Sequence, residues 1–251
     1  MAEASEATGQ KAKRKWLPIV SEPAVFTRYA AALGCENMAP SEGAPGVSFC
    51  DVFGLDPDLL GMVPRPVLAV VLLYPIEREE DAQAAARRAM PTAGSGDAPF
   101  YMRQKIGNAC GTIALLHSIA NNLDFCQLKE GSFLHDFVSA CADMSPEERA
   151  DYLDRVAESG LEAAHHTAAV TDEGNGAVTE DDMNTNLHFV CYVHRGGTLW
   201  ELDGRKAVAG PVPSGACSGV DLLERASEAI QRRMAASSSI RFNIMALTLA
   251  T

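Results

Sequence analysis

Val67-Leu-Ala-Val-Val-Leu-Leu-Tyr74 is an unbroken run of eight apolar residues closed by Pro75. Its length, its valines and the terminating proline read as a β-strand with apolar neighbours on both faces. Such a strand needs cover on each side, and helical patterns flank it in the chain. Ser21 stands where it can cap a helix from about Pro23 to Leu33, with Val25, Phe26, Tyr29 and Leu33 on one face and Gly34 at its end. A second helix opens at Cys110 and buries Ile113, Leu116 and Ala120 before Asn121 and Asn122. Ser145-Pro-Glu-Glu148 is a capping box with proline at the first helical position. Leu222, Ala226, Ile230 and Met234 recur every four residues, the stripe of a late amphipathic helix. Arg241 to Leu249 alternates as a strand does. No repeat and no inter-domain linker interrupts the pattern, which predicts an α+β arrangement: several helices around a central, largely antiparallel sheet.

A chain of 251 residues with 47% hydrophobic content suits one large domain or two small ones. A formal net charge of −12 argues against a phosphate-binding surface, and so against nucleic acid. The cysteines (Cys35, Cys50, Cys110, Cys126, Cys141, Cys191 and Cys217) are odd in number, scattered and without a Cys-x-x-Cys pair. That predicts a reducing compartment, no structural zinc and no disulfide framework. No charged-then-apolar leader opens the chain and no apolar run has membrane-spanning length, so no membrane association is expected. Met1 to Gln10 are small and polar, the composition of a disordered extension. Lys11-Ala-Lys-Arg-Lys15 is compatible with nuclear import but reads more simply as a solvated basic run. A cytoplasmic location is expected, with the nucleus left open.

The chemistry concentrates at Gln104-Lys-Ile-Gly-Asn-Ala-Cys110-Gly-Thr. Cys110 sits where a glycine-flanked turn enters an apolar helix, and the partial positive charge of a helix N-terminus favours thiolate over thiol. Gln104, with the Cys110 backbone N–H, can offer donors to a developing oxyanion. The simpler reading is a buried cysteine at a helix start. A base lies downstream. Leu187-His-Phe-Val-Cys-Tyr-Val-His194 and Thr198-Leu-Trp-Glu-Leu-Asp203 are strand-like and joined by Arg195-Gly196-Gly197, a hairpin signal. With Arg195 and Gly196 as the turn, His188 faces Asp203, close enough for a carboxylate to orient an imidazole. A different turn shifts that pairing by a residue or two.

The order Gln104, Cys110, His188, Asp203 in these contexts resembles the ubiquitin carboxyl-terminal hydrolases, cysteine proteases acting at the C-terminal glycine of ubiquitin. The likeness continues in Lys15-Trp-Leu-Pro-Ile19, Val52-Phe-Gly-Leu-Asp-Pro-Asp-Leu-Leu60, Met62-Val-Pro-Arg-Pro66, Met144 to Ala150, Glu201 to Lys206 and Arg241-Phe-Asn243. It is strongest with the short, single-domain members. The resemblance implies a layered α-β-α domain over 15–251 with a knotted backbone, a disordered extension over 1–14, no cofactor and no metal. It makes Cys110 the nucleophile, His188 the general base and acid, Asp203 its orienting carboxylate and Gln104 an oxyanion donor. It places Pro18, Asp51 and Leu187 along the ubiquitin tail. The expected partner is ubiquitin or a closely related modifier with a Gly-Gly tail, and the expected state is a monomer. Residues Glu36 to Gly46 are longer than the family's usual connection, and Val47-Ser48 lacks an aromatic expected before Phe49.

About 159–186, a long weakly periodic segment, occupies the place of a loop that crosses the active site in this family, which implies small amine, thiol or short-peptide leaving groups. His165 and His166 within it read as loop polar residues rather than metal ligands. Two alternatives stand beside the hydrolase: a weakly active ubiquitin-binding module, and another Cys-His-Asp acyl-transfer enzyme.

Overall fold

The central strand is where the apolar run predicts it. The computed structural model describes residues 14–38, 46–76, 98–158, 160–170, 183–205 and 210–250. The described residues form six strands: β1 (Gly46–Asp51), β2 (Val67–Pro75), β3 (Leu187–Arg195), β4 (Thr198–Leu202), β5 (Val212–Ala216) and β6 (Asn243–Ala250). They make one sheet in the order β1-β6-β2-β3-β4-β5, with every neighbouring pair antiparallel. Around it lie α1 (Pro23–Ala32), α2 (Pro57–Leu60), α3 (Cys110–Ala120), α4 (Phe133–Ala140), α5 (Pro146–Val156), α6 (Leu161–Ala169) and α7 (Leu222–Ala235).

The two faces of β2 enter two separate apolar cores. Ala69 and Val71 join Phe26, Ile113, Leu116, Phe189 and Met245 beneath α1 and α3. Val70, Leu72 and Tyr74 join Val190, Tyr192, Leu223, Ala226 and Ile230 beneath α7. β6 divides in the same way, Met245 and Leu247 to one core, Ile244 and Ala246 to the other. Its alternation is therefore not a polar face against an apolar one; both its faces are covered.

Local signals resolve unevenly. The capping box at Ser145 is formed in both directions, Glu148 N–H to Ser145 Oγ and Ser145 N–H to Glu148 Oε2. Ser21 does not cap α1. The N-cap is Glu22, which makes no side-chain cap, and Ser21 Oγ donates instead to Asn243 Oδ1 at 2.7 Å. Pro23 sets the first helical φ by itself, so the start needs no serine. In α3, Ala120 is half-buried where full burial is expected. In α7, Met234 is 37% exposed and leaves the buried stripe that Leu222, Ala226 and Ile230 share.

The long segment before β3 divides. Residues 161–169 are not loop but α6, packed against α1, and His165 is 1% exposed. Its Nε2 donates to the Leu17 carbonyl at 2.7 Å, and its Nδ1 meets the Thr112 hydroxyl at 2.8 Å. Small residues at Ala163, Ala164, Ala168 and Ala169 hid this helix, because alanine is helical without giving an apolar stripe. Residues 171–182 lie outside the described residues, as do 1–13 and most of the connection after Asn37.

Burial drives the His165 pKa down to about 4, and likewise that of His117, which accepts from the Met102 N–H and stacks on Tyr101. Both are neutral in the folded state and protonate near 6.5 when unfolded. Their contribution is present above that value and lost as pH falls towards 4, roughly 3 kcal/mol for each histidine. Urea unfolding at stepped pH should show stability declining from about pH 6.5 to 4, and His165→Gln should make the decline shallower.

Candidate active site

One rim of the sheet gathers the chemistry. In the antiparallel order, the end of β1 (Asp51), the start of β6 (Asn243), the end of β2 (Tyr74, Pro75), the start of β3 (Leu187, His188) and the exit of β4 (Asp203) share one edge. α3 begins beside it.

The turn between β3 and β4 decides how His188 meets Asp203. Gly196 and Gly197 form it, with φ of 55° and 72°, the left-handed pair that a type I′ turn requires. Arg195 therefore pairs with Thr198 and Cys191 with Leu202, a register two residues from the one in which Arg195 opens the turn. A two-residue shift keeps every side chain on its face. Asp203, just past the end of β4, still reaches His188: Nε2 donates to Oδ1 at 2.7 Å, with both groups buried. The Arg205 N–H donates to the same oxygen at 2.9 Å, and the Tyr101 hydroxyl holds the Asp203 carbonyl at 3.0 Å.

Cys110 is the first residue of α3 and is half-buried. No side chain caps this helix, and the Ile113 N–H is the first to bond back, to the Ala109 carbonyl. The N–H groups ahead of it, that of Cys110 included, remain available to an anion. Burial pushes the Cys110 thiol up, but the His188 side chain, a hydrogen bond at the Phe189 backbone and the charge of Arg205 outweigh it and hold the thiol below its ordinary range. Burial would lower His188; the Asp203 carboxylate and Cys110 raise it instead, to about 9. With Nε2 on Asp203, Nδ1 is the nitrogen left for the sulfur. It makes no hydrogen bond of normal geometry, so the thiol and ring interact over a longer or less aligned contact, as such pairs do before substrate tightens them.

Gln104 lies against the same corner. Its backbone N–H donates to the Gly204 carbonyl at 3.0 Å, and a Cβ on Gly204 would stand 3.1 Å from that nitrogen, so glycine permits the approach. The side-chain Nε2 donates one hydrogen to the Ile106 carbonyl at 3.0 Å, leaving its second, while Oε1 is buried without a partner.

Of the tail positions, Leu187 is half-buried at the start of β3, directly before His188, and Pro18 is half-buried two residues after Trp16. Trp16 is joined to the Cys110 turn by its N–H on the Gly107 carbonyl. Asp51 stands further along the rim, on an open groove of about 660 Å³ lined also by Phe53, Gln231, Met234 and Phe242. Asn243 and Arg241, bonded to Ser21 and Asn186, link the groove to the other two.

Two features carry no weight in the sequence reading. Asn108 has φ 59°, and its amide donates to the carbonyls of Trp16 at 3.0 Å and Met183 at 3.1 Å, tying two segments to the turn before Cys110. Asparagine tolerates that conformation, and its place after Gly107 was the available signal. The Tyr74 ring meets that of His188 edge to face at 5.8 Å; nothing local to either residue announces this. No group of three or more possible metal-ligating side chains occurs among the described residues.

A protein family described as ubiquitin carboxyl-terminal hydrolase, family 1, matches residues 16–235. The chain belongs to that family. It is 40% identical over 250 residues to ubiquitin carboxyl-terminal hydrolase 3 of Arabidopsis thaliana, covering 99% of each chain. It is 37% identical to a ubiquitin carboxyl-terminal hydrolase of Aplysia californica, covering 91% of this chain and 99% of that one. Among solved structures it superposes on the Trichinella spiralis UCH37 catalytic domain bound to ubiquitin vinyl methyl ester, with a TM-score of 0.70 at 23% identity, covering 96% and 98% of the two chains. That likeness concerns the fold. The family is one of cysteine peptidases, so a cysteine, a histidine and a carboxylate at one rim are the arrangement to examine.

The shifts of Cys110 and His188 together predict a thiolate–imidazolium pair that persists from below the ordinary thiol range up to about pH 9. Alkylation of Cys110 by iodoacetamide should accordingly set in at lower pH than that of an ordinary thiol. Asp203→Asn should move the onset upward and slow alkylation at pH 6 by about tenfold or more.

Proposed function

We propose that this chain is a deubiquitinating thiol hydrolase that releases small adducts and short peptides from the C-terminal glycine of ubiquitin, acting through Cys110, His188, Asp203 and Gln104. The observation that carries the reading is the buried His188–Asp203 pair at 2.7 Å beside a half-buried cysteine at an uncapped helix start, in a chain of this family. The Cys110 thiolate attacks the glycine carbonyl, forming a carbon–sulfur bond and a tetrahedral oxyanion. The Cys110 N–H and the free hydrogen of the Gln104 amide receive that oxyanion, each donor typically worth ~2.7–4 kcal/mol. Imidazolium His188 gives its proton to the leaving amine, and the C–N bond breaks. Neutral His188 then takes a proton from water, whose oxygen displaces the sulfur and regenerates the pair. Asp203 holds the ring in the tautomer this needs throughout.

In this reading the ubiquitin tail runs past Pro18 and Leu187 towards Cys110, and Asp51 pairs with a basic tail residue. The exposed Phe53 and Met234 beside Asp51 offer apolar surface to the body of the modifier. Closely related modifiers with the same tail are candidate substrates as well. The odd, scattered cysteines of the sequence fit a reducing setting, the cytoplasm or the nucleus.

Incubation with ubiquitin bearing an electrophilic C-terminus should give a one-to-one adduct by intact mass, absent in Cys110→Ala. Binding without an adduct would make the chain a ubiquitin-holding module instead. Neither adduct nor binding would remove ubiquitin as the partner.

A further inference from the structure

The sheet face under α7 is largely apolar, yet Arg233 turns into it with its side chain only 23% exposed. Its Nη2 donates to Glu201 Oε1 at 2.8 Å, and the Tyr192 hydroxyl donates to Glu201 Oε2 at 3.2 Å. The guanidinium carbon stands 4.3 Å from the centre of the Tyr74 ring. That same ring meets His188 with centroids 5.8 Å apart and planes at 74°. The backbone sets up the row: Tyr74 is paired with His188 across β2 and β3, and Tyr192 with Glu201 across β3 and β4.

Packing alone does not account for this arrangement. Removing an arginine and a glutamate from water costs several kcal/mol per ion, and apolar residues of similar volume often serve stability as well or better. Arg233 Nε is moreover buried without a partner. What a pinned guanidinium offers is a planar cation fixed over a ring, which resists sliding and rotation where an aliphatic side chain would allow them. His188 needs such a stop. Its hydrogen bond to Asp203 fixes Nε2, while Nδ1 has only the longer contact with Cys110, so the angle of the ring depends on what packs against its plane.

We propose that Arg233 is a positioning residue: held by Glu201, it clamps Tyr74 against His188 and so keeps Nδ1 of the imidazole directed at Cys110. The inference rests on the reading of Cys110 and His188 as the reacting pair. The charged groups around that pair are Asp203, Arg205 and Cys110 itself, and Arg233 acts through the intervening Tyr74 ring.

The test compares Arg233→Met, Arg233→Lys and the double variant Glu201→Gln with Arg233→Met, which leaves no unpaired buried carboxylate. Turnover of a ubiquitin C-terminal amide, iodoacetamide alkylation of Cys110 against pH, and thermal unfolding are measured on each. Loss of ring alignment should lower kcat about 10- to 100-fold in Arg233→Met while KM stays within about twofold. Alkylation at pH 6 should slow about tenfold, its onset moving upward as the imidazolium leaves the thiolate. Arg233→Lys keeps a charge for Glu201 but not the planar guanidinium over the ring and should recover only part of both. The double variant should be folded and show the same losses. A folded double variant with the parent's kcat and alkylation profile would overturn the proposal and reduce the ion pair to packing. Alkylation requires no ubiquitin, so shifted alkylation with no ubiquitin turnover in any form, the parent included, would refute the substrate reading and leave the positioning role standing.

Discussion

β2 and β6 carry apolar side chains to both faces, so each face of the sheet must have its own helical cover, and that demand decides where polar chemistry can be placed. Inside either layer a charged side chain loses its hydration and needs a partner there, as Arg233 and Glu201 provide for each other. The strand ends escape this, because there the backbone leaves the ladder and loops bring donors close. The catalytic candidates occupy that rim. α3 covers one face and presents Cys110 at its start, while His188 shares the opposite face with Tyr74, Val190 and Tyr192. The two residues come from different layers and meet only past the edge that separates them.

At that edge, each polar group is stabilised by another. Asp203 is buried, but it accepts from His188 Nε2 and the Arg205 N–H. His188 is buried, but the carboxylate makes its charged form the stable one. The thiol of Cys110, pushed up by burial, is drawn down by that same imidazolium. Interdependent groups of this kind behave as a unit, and changes at one are felt at all of them. Gly204 extends the unit to Gln104, since any side chain there would crowd the Gln104 backbone.

Much of the fold was legible because its signals are local. An eight-residue apolar run cannot be half-exposed, and Ser145 with Glu148 forms its capping box from residues three apart. The alanines of the helix over 161–169 carry no periodic stripe, so neither the helix nor the burial of His165 is legible in the sequence. Ser21 looked like a cap and was not, because Asn243, more than two hundred residues away, takes its hydroxyl. The hairpin was recognisable from its glycines, but which two residues turn depends on strand twist, and Gly196-Gly197 matched that twist where Arg195-Gly196 did not. The face of His188 survived the error because side chains repeat every second residue.

By itself, the sequence determined the identity and order of the reactive groups, the double-sided strand and the helix that opens on Cys110. These depend on residue type and short spacing, which a linear reading contains. Only the tertiary structure decided that Tyr74 and Arg233 stand behind His188, that Asn108 ties two distant segments to the cysteine turn, and that Asp51 opens onto a groove shared with α7. Such contacts join residues tens to hundreds of positions apart. Strand order and helix packing create them, and no property of either partner alone specifies the other.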